Sequence, residues 1–85
     1  MTHSYKESIK PFLHDEVVST VERLNLTHEQ AAEILGIEPR TYAYFKAGKT
    51  TFSATTLLMY LSRLCSNYID FFEGLKKTIS KIEDY

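Results

Sequence analysis

Apolar residues recur along the chain at spacings of three and four, and no stretch alternates apolar and polar with period two. The pattern therefore predicts helices throughout. The first runs from Lys10 or Pro11 to Leu24, with Leu13, Val17, Val21 and Leu24 in one stripe and Pro11 at a first helical position, where its missing N–H is no loss. The second, from Thr27 to Leu35, opens on a Thr27/Gln30 capping box and stops at Gly36. The third, Pro39 to Ala47, carries Tyr42 and Phe45 on one face and stops at Gly48. After the loop Lys49-Thr50-Thr51-Phe52, Ser53 caps a fourth helix, Ala54 to about Cys65, with Leu57, Leu58, Leu61 and Leu64 facing inward. Asn67 caps the fifth, which runs from Tyr68 towards Tyr85, and Asp70 suits its positive end.

Five helices in 85 residues, 44% of them hydrophobic and 13% aromatic, predict a single all-α domain spanning 1–85 with a longer C-terminal helix. Its lone cysteine, Cys65, excludes an internal disulfide and suits a reducing compartment. No apolar run approaches the roughly 20 residues of a membrane span. The polar start Met1-Thr2-His3-Ser4-Tyr5-Lys6 leads into no apolar signal core. The expectation is a cytoplasmic protein with no membrane partner. The histidines and the cysteine form no metal-ligand spacing, and the three glycines form no phosphate cradle, so no cofactor is expected. Nor is an enzyme, because no nucleophile–base or carboxylate pair stands out.

Net charge is −1, but it is unevenly distributed. Residues 1–38 balance to −4, residues 39–69 hold Arg40, Lys46, Lys49 and Arg63 with no acid, and residues 70–85 balance to −1. A nearly neutral chain can thus present one basic face, and partners answer to the local field.

That basic segment begins inside the most informative stretch, residues 26–48. A nine-residue helix, a turn at Gly36-Ile37 and a second short helix make a helix-turn-helix, motif 27–47. Ala32 is small where the two helices cross, Gly36 tolerates the sharp reversal, and Ile37 fills the space beneath the turn. Tyr42 and Phe45 anchor the second helix. Glu38, Arg40, Thr41, Ala43, Tyr44 and Ala47 are left on its outer face.

Residues 26–64 resemble the helix-turn-helix domain of phage Cro and lambda-type repressors, the Xre-like group of bacterial regulators. The matching residues are Leu26-Thr27, Glu29, Ala32, Leu35-Gly36-Ile37, Thr41, Phe45, Gly48-Lys49, Thr56-Leu57-Leu58, Leu61 and Leu64, and the likeness extends to Asn67 and Phe71-Phe72. It implies a lambda-repressor-like fold and a sequence-specific regulator of transcription whose partner is double-stranded DNA. The DNA-binding set it implies is His28, Glu38, Arg40, Thr41, Ala43, Tyr44, Lys46, Lys49, Thr50 and Thr51. His28 stands where the family often carries a phosphate-bonding Gln. Ala43 and Tyr44 stand where it commonly places Ser, Gln or Arg, so Arg40 is the one strong base-reading group on this face. Lys46, Lys49, Thr50 and Thr51 are expected on phosphates.

The fifth helix is expected to dimerise the domain. Tyr68, Phe71, Leu75, Ile79 and Ile82 form one apolar stripe, with Ile69 and Phe72 in a shorter one beside it. Because the family's core ends near Phe72, exposure of Leu75, Ile79 and Ile82 is expected, and Tyr68, Phe72, Leu75, Ile79 and Ile82 are the interface candidates. A two-fold homodimer would set two recognition helices about 34 Å apart on the DNA. The alternative is a protein-interaction module on the same fold, suggested by the apolar outer face of the third helix and the acidic first helix. Its partner would be a protein, with DNA binding weak or lost.

Overall fold

The computed structural model describes the backbone of residues 2–83 and the side chains of residues 8–81. The described chain is all helix: α1 Thr2–Arg23, α2 His28–Leu35, α3 Pro39–Lys46, α4 Ala54–Arg63 and α5 Tyr68–Glu83. No described helix is long and apolar enough to cross a membrane.

The local signals act as their chemistry requires. The Thr27 hydroxyl accepts from the Gln30 N–H at 3.1 Å while the Gln30 side chain accepts from the Thr27 N–H at 2.9 Å, closing the capping box. Ser53 Oγ accepts from Thr56 N–H at 3.2 Å and Asn67 Oδ1 from Asp70 N–H at 3.0 Å. Three helices end the same way. Leu26 N–H returns to Val21 O, Ile37 N–H to Ala32 O and Lys49 N–H to Tyr44 O, each across a left-handed residue: Asn25 (φ 58°), Gly36 (φ 75°) and Gly48 (φ 79°).

The core is built from Leu13, Val17 and Val21 of α1, Ala31, Ala32 and Leu35 of α2, Tyr42 and Phe45 of α3, Tyr60 and Leu64 of the α4 region, and Phe71 of α5. Tyr60 is the most buried residue of α4, bonded through its hydroxyl to Thr20 Oγ1 at 3.0 Å. Leu57 and Leu61 are half-buried beside it. Leu58, expected inward, is 64% exposed, because the buried line of α4 runs Thr56–Tyr60–Leu64 and Leu58 lies off it. Leu24 likewise leaves the α1 stripe and stands exposed, since the helix stops at Arg23 and the chain turns at Asn25.

Two corrections at the α1–α5 seam are one event. Pro11 is an exposed residue inside α1, not its first helical position, and the helix starts at Thr2. An interior proline costs a helix roughly 3 kcal/mol. Packing on α5, with which α1 forms the most extensive helix–helix contact among the described residues, offsets that cost. The two run antiparallel. Residues Glu16–Arg23 border Asn67–Phe71, and further along the Phe12 ring sits 5.5 Å from the Phe71 ring and against Gly74. Leu75 and Ile79, expected to be exposed, are therefore half-buried. What α5 leaves outside is its first turn and a half: Tyr68 at 51%, Ile69 at 70% and Phe72 at 48% exposure. The Ile82 side chain lies outside the described residues.

Candidate nucleic-acid interface

The α2–α3 pair is assembled from small residues and one reversal. Ala31 and Ala32 are fully buried, so the two helices approach closely. Gly36 turns the chain in the left-handed region, where a side chain would be strained. Met59 of α4 closes on the turn, its Cε 3.7 Å from where a Gly36 Cβ would stand. Arg63 Nη1 donates to Ile34 O at 2.9 Å, tying the end of α4 to the last turn of α2. Glu38 precedes α3 without a side-chain cap bond and Pro39 opens it.

Tyr42 and Phe45 turn the inner face of α3 wholly into the core. Arg40, Thr41, Tyr44, Lys46 and Ala47 remain exposed and Ala43 half-buried, so the expected outer face is the observed one. Lys49, Thr50 and Thr51 are exposed in the loop that follows. That loop is pinned at its far end, where Phe52 stacks on Phe45 with centroids 3.9 Å apart and planes 16° apart. His28 starts α2 with its ring edge-on to the Tyr42 ring, centroids 5.3 Å apart, and Lys46 Nζ lies 3.5 Å from His28 Nε2. Residues 18 apart in sequence thus meet at the C-terminal end of α3. Tyr68, Phe72, Leu75 and Ile79 belong to α5, which packs on α1 and makes no extensive contact with α2 or α3 among the described residues.

Sequence reasoning passed over His14. From α1 its Nε2 donates to the Lys46 carbonyl at 2.7 Å, while Nδ1 faces Asp15 Oδ1 at 3.3 Å. The Lys46 carbonyl, the dominant influence, raises the His14 pKa above its ordinary 6.5; burial opposes this, and Asp15 adds to the rise. The carbonyl is also at the negative end of α3, where a cation is favoured. The ring lies 5.6 Å from the Phe45 ring. No local pattern announces such a contact across 32 residues. His14 lines an open recess of about 700 Å³ between α1 and the α3–α4 loop, with Lys10, Lys46 and Lys49 around it.

Comparison of the chain with protein-family models, with curated proteins and with solved structures finds no match.

Proposed function

We propose that the chain is a cytoplasmic, sequence-specific regulator that binds duplex DNA as a homodimer, after the pattern of the Cro and lambda-repressor group that residues 26–64 resemble. One observation carries the reading: α3 buries one face completely and leaves the other in solvent, within a segment of four bases and no acid. An α-helix with its side chains is about 10–12 Å across, which a major groove about 12 Å wide admits. Arg40 would pair with guanine O6 and N7, Ala43 would meet a thymine methyl, and Tyr44 would reach a base edge or phosphate. Lys46 and His28 would hold one phosphate between them, and Lys49, Thr50 and Thr51 the next. The exposed Tyr68, Ile69 and Phe72 supply an apolar patch for an isologous dimer. This patch takes the place of the longer stripe through Leu75 and Ile79, which α1 covers in part.

A second reading is favoured by the same outer face. Ala43, Tyr44 and Ala47 make it poor in hydrogen-bonding groups, as a protein-docking surface would be. Selection of bound duplexes from random DNA at two salt concentrations separates the two. A DNA regulator enriches a palindrome and loses affinity linearly in log salt. A protein-interaction module enriches nothing.

A further inference from the structure

We propose that the recess between α1 and the α3–α4 loop is a binding site for a phosphate group, held by Lys10 and His14 of α1 and by Lys49, Thr50 and Thr51 of the loop. The recess is about 700 Å³, ample for a phosphate with its waters. Its walls come from two parts of the chain far apart in sequence, joined at the back by the 2.7 Å bond from His14 Nε2 to the Lys46 carbonyl. The loop wall is ordered at both ends. Gly48 turns it, with Lys49 N–H returning to Tyr44 O at 2.9 Å, and Phe52 fastens it by stacking on Phe45. Two lysines, Lys10 and Lys49, and two threonines therefore line a concavity whose loop wall is held at both ends. Cations and hydroxyls at such a concavity are the donor set that phosphate oxygens take.

His14 makes occupancy proton-linked. The charged groups facing it are Lys10 and Asp15 on its own helix, and Lys46 and Lys49 from α3 and the loop. Asp15 is the one acid among them, 80% exposed and 3.3 Å away, so the net field in the empty recess is positive. An arriving phosphate reverses that field and favours the imidazolium. Protonation leaves the bond to the Lys46 carbonyl in place and turns Nδ1 into a second donor. Binding should therefore take up a proton, and acid should tighten it.

The ligand chemistry has two sources, a DNA backbone phosphate or a free phosphate-bearing molecule; only the first rests on the function proposed above. The test follows the His14 imidazole resonance of the full chain, assigned by its loss in His14→Gln, from about pH 5 to 9. One series contains about 50 mM inorganic phosphate and the other chloride at equal ionic strength. Wild type and Lys10→Ala are compared, with duplex affinity measured near pH 6 and near pH 8 in parallel. The expected result is a His14 midpoint moved to higher pH by phosphate and moved less in Lys10→Ala. Duplex binding about five-fold or more tighter at the lower pH, with the gain lost in His14→Gln, assigns the recess to a backbone phosphate. A phosphate-induced shift with no duplex binding, or with duplex binding indifferent to pH, assigns it to a free phosphate-bearing ligand, and the first of these also overturns the DNA reading. Identical His14 midpoints in phosphate and chloride overturn the site, whatever the duplex does.

Discussion

Two buried tyrosines, each replaced by phenylalanine, should move stability in opposite directions. Tyr42 and Tyr60 are both essentially fully buried. The Tyr60 hydroxyl is satisfied: Thr20 Oγ1 donates to Glu16 O at 2.8 Å, which leaves its oxygen to accept from Tyr60 at 3.0 Å. The Tyr42 hydroxyl has no hydrogen-bond partner among the described residues. Removing a partnered hydroxyl costs about 0.5–1.5 kcal/mol, whereas an unpartnered one keeps a desolvation penalty of about 1–3 kcal/mol in the folded state. Tyr60→Phe should therefore lose about 1 kcal/mol and Tyr42→Phe gain about 1 kcal/mol. For a domain of this size the gap of about 2 kcal/mol separates the two melting temperatures by about 8–16 °C. Thermal unfolding followed by circular dichroism reads this directly, and urea titration should show shifted midpoints with unchanged slopes. Alkaline unfolding gives a second check. Burial, with Glu22 adding to it, raises the Tyr42 phenol above its ordinary 10.0. The unfolded chain then releases that proton first, and stability falls as pH climbs through the folded pKa. Tyr42→Phe removes this contribution and should blunt the alkaline loss. If Tyr42→Phe destabilises as much as Tyr60→Phe, the Tyr42 hydroxyl has a partner and the reasoning fails.

Arg40→Ala should weaken specific DNA binding by about 1–3 kcal/mol and relax the preference at one base pair; equal loss on operator and random duplexes would reduce Arg40 to a phosphate contact. Lys49→Ala should weaken binding to every duplex alike and lower the salt slope by about one, and an unmoved slope would make Lys49 a bystander. His14 holds its proton more tightly folded than unfolded, so its stabilisation is complete below about pH 6.5 and is lost as pH rises through the higher folded pKa. Urea midpoints of wild type and His14→Gln should therefore converge with rising pH; curves that stay parallel would contradict the Lys46 bond. Sedimentation equilibrium should show a dimer for wild type and a folded monomer for Ile69→Asp with Phe72→Asp, while a monomeric wild type at tens of micromolar would remove the proposed interface.

The parts of the fold that could be read from the sequence are those governed by short-range chemistry. Thr27 with Gln30, Gly36, Ser53 and Asn67 set helix ends through bonds spanning a few residues, and each lies where its type demands. The α2–α3 face was legible for the same reason, since Tyr42 and Phe45 share a side by spacing alone. Long-range compensation was not legible. Nothing near Pro11 reveals that α1 will pack along α5, so the start of α1 was placed too late and the half-burial of Leu75 and Ile79 was missed. Leu58 and Tyr60 exchanged roles because leucines at 57, 58, 61 and 64 allow more than one inward stripe, and Tyr60 wins by finding Thr20. At the candidate site, the outer face of α3 and the basic residues of the loop came from local pattern, whereas His14 reaches Lys46 across 32 residues and depends wholly on the packing of α1.

The antiparallel seam also governs how the domain would respond to force. Because α1 and α5 run antiparallel, a pull that separates the start of α1 from the end of α5 would load the seam as a zipper, peeling one helical turn at a time rather than shearing the whole interface at once. The first substantial resistance would come where Phe12 is wedged against Gly74, whose missing side chain is what lets the ring lie so close. Beyond it, Phe71 joins the seam to Tyr60 and the main core. The helix-turn-helix, closed by its own local turns, would be the last part to feel the tension.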